Sequence, residues 1–284
     1  MLPCRQRLVS SEKCGVQEDL FYWYSLAKKS IIELQHPVTG LIPAHPGADT
    51  WVRDCTYAIH SLWALSLAFE KQLSATNRSF YHELKFRTIK GMRGLLQSLM
   101  NQKDKVMKFN ASQSHLDCLH AKYDTSTGQP IVSDDEWGHL QLDATSLYVL
   151  TLAQITSSGF VIVQSLSEVD FIQSLVLYIH FAYQTPDYGV YERGDKNNRG
   201  IRELSACSVG MTKAALCAIR GLNLFGAQGG ARSVIYVPPD MSRQCNRVLE
   251  AILPRSSKSK EIESSLWSII SYPAFAVEKD ILLA

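Results

Sequence analysis

Two kinds of helical segment alternate along this chain, and that alternation most constrains its fold. Residues 17–35 carry Leu20, Trp23, Tyr24, Ala27, Ile31 and Leu34 at helical spacing, with Glu18, Lys28, Lys29 and Glu33 opposite, the mark of an outer amphipathic helix. Residues 54–71 are apolar around nearly the whole circumference (Ala58, Ile59, Leu62, Trp63, Leu65, Leu67, Phe69), which predicts an inner helix buried on all sides. The contrast repeats with 79–102 outer and 140–157 inner, then about 165–183 outer and 203–221 inner. The last pair is 240–253 outer and 260–271 inner. Ser165 with Glu168, or Ser167 with Asp170, offers a capping box. Residues 110–138 read as irregular and 231–237 as a short strand. The expected class is all-α, in a toroid of antiparallel helix pairs. No fixed repeat period supports a solenoid instead.

One geometric consequence bears on function. In antiparallel pairs every inner helix points the same way, so the loops leading into the inner helices gather at one end. Those loops are Trp51-Val52-Arg53-Asp54, the stretch from Asp134 to Asp143, and 186–203. The last contains Asp-Tyr-Gly-Val-Tyr-Glu at 187–192, and three glycines and a proline break it between 186 and 200. An aromatic face beside a guanidinium and a carboxylate suits a sugar. The plainer alternatives are that Asp54 caps a helix, that Arg53 pairs with a neighbour, and that His139 is structural. Glu192 between Tyr191 and Arg193 is a candidate general acid, but glycoside hydrolysis needs a second carboxylate, and the sequence supplies no convincing one. Asp195, Asn197, Gly200 and Glu203 fit calcium-loop positions until Arg199 and Ala206 spoil the pattern. No metal or cofactor is expected.

Bulk properties exclude several classes. The net charge of +2 on 284 residues gives no reason to expect nucleic acid or a membrane surface as a bulk partner. The first twenty residues contain no apolar signal core. Seven scattered cysteines without a CxxC pair read as reduced thiols in a cytoplasmic protein. Protein-kinase signatures are absent. Residues 85–109 combine Lys85, Arg87, Lys90, Arg93, Lys103, Lys105 and Lys108 with an apolar stripe. That is a calmodulin-target or membrane-surface pattern, with an ordinary solvated outer helix face as the simpler reading.

Long motifs carry a family resemblance. They are HPVTGL at 36–41, WVRD at 51–54, MRGLLQ at 92–97, LHAKYDT at 119–125, DDEWGHLQLDATSLY at 134–148, DYGVYERGDKNNRG at 187–200, SVGMTKAAL at 208–216 and SYPAFAV at 271–277. Together they resemble the amino-terminal part of the phosphorylase b kinase regulatory subunits, alpha more than beta. That domain is similar to the glucoamylase-type hydrolases of glycoside hydrolase family 15, an (α/α)6 barrel. The resemblance implies a vestigial carbohydrate site from Trp51, Arg53, Asp54, Trp137, His139, Asp143 and Tyr191, with Glu192 at the general-acid position. It implies a non-catalytic regulatory role in glycogen metabolism. The partners it implies are the kinase catalytic and other regulatory subunits, calmodulin (contacts expected at Lys90, Arg93, Lys103 and Lys105), and glycogen or an oligosaccharide. An inverting α-glucoside hydrolase is the alternative. The general base belongs to the later part of such a barrel. Residues 1–16 are expected to be a divergent segment, and 17–284 about four of six helix pairs of a fragment, short isoform or partial gene product. An open barrel of that kind is expected to associate or aggregate through uncovered apolar surface. The resemblance also implies a prenylated full-length parent, peripheral to the inner face of the plasma membrane, although this chain has no prenylation motif.

Overall fold

A computed structural model describes residues 19–72, 74–134, 140–190 and 201–277. The chain is predominantly helical. Helix α1 runs from residue 19 to 27 and passes into a π-helical turn, Lys28–Ile32. The other helices are α2 (Val52–Lys71), α3 (Ala75–Met100), α4 (Lys103–Ser112), α5 (Leu142–Ser157), α6 (Leu166–Ala182), α7 (Ala206–Ile219), α8 (Pro239–Ile252) and the short α9 (Trp267–Ile270). Two short strands, β1 (Thr50–Trp51) and β2 (Lys122–Tyr123), pair antiparallel. Among the described residues no helix is long and apolar enough to cross a membrane.

The alternation read from the sequence sets the layers. In α5 every residue except Gln154 and Ser157 is buried, and α7 is nearly as enclosed. Helix α8 instead buries Met241, Cys245 and Leu249 at four-residue spacing, with Ser242 beside them, and exposes Asp240, Arg243, Gln244, Arg247 and Glu250. The inner helices contact one another in series, α2 with α5, α5 with α7, and α7 with α9, while α3 packs on α2 and α8 on α7. Aromatic rings seal the start of the chain. Tyr24 of α1 meets Phe80 of α3 edge-on at 4.5 Å, and Phe80 stacks on Phe69 of α2 at 5.3 Å.

Several expectations need adjustment. Helix α2 is not covered all round, since Ser61 and Ala64 are exposed and share an open groove with Trp23 and Leu26 of α1. The basic stretch 85–109 is two helices. Gln102 breaks them apart, because its side chain donates to Tyr123 Oη and accepts from the His120 amide. Residues 233–237 alternate buried and exposed as a strand would, yet pair with 221–224 through a single bridge, Asn223 with Val234. The fourth inner segment is helical only from Ser264 to Ile270, first as a 3-10 turn. The capping box is partly as expected. Ser165 Oγ accepts from the Glu168 amide at 3.3 Å, but the Glu168 carboxylate reaches back to the amide of Gln164.

Candidate functional site

Arg53 lies in the first turn of α2, and its guanidinium crosses to the start of α5. Nε donates to Asp143 Oδ2 and Nη2 to Asp143 Oδ1, both at 2.9 Å. Nη2 also donates to Gln141 Oε1 at 3.0 Å, and Nη1 to the Val190 carbonyl at 3.2 Å. Among the described residues these contacts use four of the five N–H groups of an arginine and leave one hydrogen on Nη1. Burial works against the guanidinium charge, but the Asp143 charge and its hydrogen bonds outweigh that and raise the Arg53 pKa further. The loops expected to converge do so: 53, 141–143 and 187–190 meet, and the turn before α9 joins them.

The Arg53–Asp143 pair fronts a cavity of about 310 Å3 whose lining includes Tyr57, Val190, Met211, Trp267 and Tyr272 together with Ser264, Ser265 and Ser268. Trp267 and Tyr272 are both exposed at its rim. The volume is at the small end of ligand sites. Burial pushes the phenols of Tyr57 and Tyr272 up to about 12, so both remain neutral donors at physiological pH. Cys207 lies behind the cavity with Sγ 3.3 Å from Ser268 Oγ, and burial raises its pKa well above the usual thiol range. It is a protonated core thiol rather than a nucleophile.

Asp187 supports this assembly from below. Its Oδ2 accepts from the Leu142 amide at 3.0 Å and from Ser208 Oγ at 2.7 Å, and its Oδ1 from the Gly189 amide at 3.1 Å. Its own backbone pairs with Glu203 in both directions at 3.0 Å. Burial pushes the Asp187 carboxyl up to about 7. The Ser208 hydrogen bond opposes the rise, the neighbouring Asp143 charge adds to it, and the two amides oppose it.

The other expected residues fall in different places. Trp51 is buried in β1 with the Lys122 amino group 5.2 Å over its ring. Asp54 is exposed on the first turn of α2. Trp137, His139, Tyr191 and Glu192 lie outside the described residues. Of the calmodulin-type stripe, Met92 and Leu96 are fully buried, Ile89 and Met100 are half-buried, and Phe86 is exposed. Three of the four expected calmodulin-contact residues have partners within the fold. Lys90 donates to the Pro37 carbonyl, Arg93 holds Glu168 at 3.0 Å and the Ile162 carbonyl at 2.7 Å, and Lys105 binds Asp134 and the Leu116 carbonyl. Lys103 is exposed on α4. Among the described residues no group of three His, Cys, Asp or Glu side chains is arranged to hold a metal ion. Sequence reasoning missed Gln141, Tyr57, Asp187, Trp267 and Tyr272. Tyr57 was within reach, since it follows Arg53 by four residues on one helix face.

Comparison with known proteins gives a consistent set of relatives. Glycosyl hydrolases family 15 matches residues 17–271. The chain is 51% identical over 271 residues to the probable phosphorylase b kinase regulatory subunit alpha of Drosophila melanogaster, covering 95% of this chain and 22% of that protein. It is 51% identical over 276 residues to the skeletal muscle alpha isoform of Oryctolagus cuniculus, covering 96% and 22%. The liver alpha isoform of Mus musculus is 54% identical over 255 residues, covering 89% and 21%. The chain thus spans about a fifth of the length of the curated relatives it matches.

Proposed function

The chain belongs to glycosyl hydrolases family 15 and is a homologue of the alpha regulatory subunits of phosphorylase b kinase, and from that premise we propose that it serves as a non-catalytic regulatory component of such a kinase in glycogen metabolism. On this reading its helices form an arc of an (α/α)6 barrel, and the Arg53 cavity is a carbohydrate site kept for sensing. The partners are the kinase catalytic and other regulatory subunits. Calmodulin is a partner of the assembly through a surface other than 85–109, whose stripe would have to leave the core. A cytoplasmic location, membrane-peripheral in a prenylated full-length form, goes with the same reading.

The observation that carries the carbohydrate assignment is the Arg53–Asp143 pair facing a cavity rimmed by Tyr57, Trp267 and Tyr272. Aromatic faces take the C–H side of a sugar ring, and the remaining Nη1 hydrogen, the tyrosine hydroxyls and the serines supply hydrogen bonds to its hydroxyls. The same geometry favours binding over turnover. Inversion needs one carboxylic acid and one carboxylate that activates water. Both oxygens of Asp143 are taken by Arg53, and Asp187 sits beneath two amides and a serine. Neither is free to act as the base.

Titration of the protein with maltose, followed by tryptophan fluorescence, tests the site. Saturable quenching that Trp267→Ala weakens about tenfold is expected, with no release of glucose. Glucose release abolished by Glu192→Gln would instead establish the α-glucoside hydrolase with Glu192 as general acid. Absence of saturable binding removes the carbohydrate reading. The regulatory assignment is tested separately by purification under mild conditions with a phosphorylase kinase catalytic subunit, where lack of association counts against it.

A further inference from the structure

The far end of the inner helices carries a second cavity. Helix α5 starts at the Arg53 site and runs for 16 residues, about 24 Å at the usual helical rise, before the chain turns at Gly159. Helix α7 runs the same way, from Ala206 to Ile219, with Ser208 bonded to Asp187 at its start. Off these two C-terminal ends lies a cavity of about 610 Å3, roughly twice that at Arg53. One wall is the segment from the end of α5 onward, with Thr156, Val161, Val163 and Gln164; the other is the turn after α7, with Phe225 and Gln228. Both walls are pinned from behind. Arg93 Nη1 donates to the Ile162 carbonyl at 2.7 Å, and the Gln164 amide donates to Glu168 Oε2 at 2.6 Å. On the other side the Phe225 amide donates to Asn223 Oδ1 at 3.0 Å, and Ser233 Oγ donates to the same oxygen at 2.8 Å. The cavity is therefore pre-formed, as ligand sites usually are.

Two glycines keep it open. Gly159 has φ of +92° and Gly226 φ of +63°, conformations that side-chain-bearing residues rarely adopt. Both line the cavity, and a Cβ on either would meet no atom within 4 Å. The chemistry of the lining selects the ligand. Among the described residues no ionisable side chain lines the cavity, so nothing there offsets the desolvation of a phosphate, carboxylate or ammonium. Val161, Val163 and the half-buried ring of Phe225 offer apolar surface. The carboxamides of Gln164 and Gln228 are exposed and have no partner among the described residues. The Thr156 hydroxyl is buried and has none either. Carboxamides and hydroxyls both donate and accept. Neutral donors and acceptors around an apolar face match a neutral ring with hydroxyls at its edge and C–H bonds on its face. Phe160 lies fully buried behind the lining, so a ligand meets one aromatic face and not two. That suits a saccharide better than a flat base that stacks on both sides.

We propose that this cavity is a second saccharide site, at the opposite end of the inner helices from Arg53, with Phe225 under the ring and Gln164, Gln228 and Thr156 bonding its hydroxyls. Its volume is in the middle of the range of ligand sites, whereas the Arg53 cavity is at the small end. It is therefore the roomier of the two for an oligosaccharide. This site does not depend on sugar binding at Arg53.

The experiment is a maltose titration of the whole chain followed by amide chemical shifts in NMR. Saturable shifts are expected at Gly159, Gly226 and Gln228, apart from those at Asp143 and Val190 that report on the Arg53 cavity. Gln164→Ala and Gln228→Ala alter exposed side chains without partners, so the fold is kept. Each should weaken the response at Gly159 and Gly226 about threefold to tenfold, the worth of a neutral hydrogen bond. Ala227→Trp fills the cavity from an exposed lining position and should abolish that response while leaving the one at Asp143 and Val190 unchanged. Trp267→Ala should weaken only the Arg53 response. Absence of saturable shifts at Gly159, Gly226 and Gln228 overturns the proposal, and so does a response there that Ala227→Trp leaves intact. Shifts there with adenosine and none with maltose would assign the cavity to a nucleobase and overturn the saccharide. If only Asp143 and Val190 respond, this site is lost and the carbohydrate reading at Arg53 stands. If only the far residues respond, this site stands and the reading at Arg53 is lost.

Discussion

Arg53 and Asp143 are paired but unequally buried, and their variants should therefore differ in cost. The Arg53 side chain is 13% exposed at the cavity, whereas that of Asp143 is 2% exposed. Arg53→Met strands a buried carboxylate without a cation, a change that costs about 3–5 kcal/mol. It also leaves Asp143 beside Asp187, whose buried carboxyl its charge already pushes up. Asp143→Asn keeps an acceptor for one N–H of the fork, and Arg53 retains Gln141, the Val190 carbonyl and access to water through the cavity. Loss of one charged hydrogen bond costs about 1.5–3 kcal/mol, and removal of the Asp143 charge relieves Asp187. Arg53→Met should thus exceed Asp143→Asn by about 2 kcal/mol. The double variant should cost less than the two singles together by a similar amount, because the stranded charge is gone. At about 2–4 °C per kcal/mol for a domain near this size, Arg53→Met should lower Tm by about 10 °C. Urea unfolding of all four proteins at pH 7 measures the cycle. Additivity within about 0.5 kcal/mol, or Asp143→Asn as costly as Arg53→Met, would refute the reasoning.

His60 of α2 bonds Thr151 through Nε2 at 2.7 Å, and burial holds its pKa down to about 4. Its folded pKa is depressed, so its stabilisation is present above about pH 6.5 and lost as pH falls toward 4. His60→Gln should flatten that limb by about 3 kcal/mol, at 1.36 kcal/mol per pKa unit. Asp187 acts oppositely: its folded carboxyl is raised, so its stabilisation is present below about pH 4 and lost as pH rises through about 7. The comparison is therefore made as variant minus wild type in urea midpoints between pH 4 and 8, and a flat difference would count against a buried neutral His60. A Cβ on Gly94 would overlap the Thr39 carbonyl oxygen, while one on Gly91 would meet side chains alone, Ile59 at 2.8 Å and Gln35 Nε2 at 3.5 Å. Gly94→Ala should therefore lose about 1–3 kcal/mol and Gly91→Ala less, read from Tm. The reverse order would show that the loop at 39 yields more easily than the core.

The layering was legible because full burial leaves a simple mark. Helices α5 and α7 have apolar or small residues on every face, and they are the most enclosed in the structure. The convergence at one end followed from helix direction alone, and the contacts of Arg53 with Asp143 and Val190 bear it out. The Arg53 contacts themselves were read less fully. The tetrapeptide WVRD showed a guanidinium and a carboxylate side by side, but Asp54 points to solvent and the partner comes from residue 143. Sequence adjacency gives no information on which carboxylate a long side chain will reach. Asp187 was hidden for a related reason: within a charged loop it looks like any acid, and only the fold shows it buried. The outer helix read over 79–102 ends within two residues of that reading, but the second helix from Lys103 and the hold on Gln102 were not legible, because Tyr123 and the His120 amide are 18 to 21 residues away.

The sequence distances spanned by Arg53 bear on when the cavity forms during folding. Its bonds reach 90 residues to Asp143 and 137 to Val190, whereas α2 and α3, which share an extensive contact, are neighbours in the chain. Contacts between distant segments must meet the entropy of closing long loops before they return any energy. The helical hairpins can therefore assemble while the cavity does not yet exist. Competence to bind a ligand should arise in the slowest refolding phase, after most helical signal has returned. Binding that recovered together with the early helical signal would contradict this order. For a chain made on the ribosome, Arg53 emerges long before Gln141 and Asp143 and longer still before Val190, and until residue 141 has emerged it has none of the partners that fix it in the finished protein.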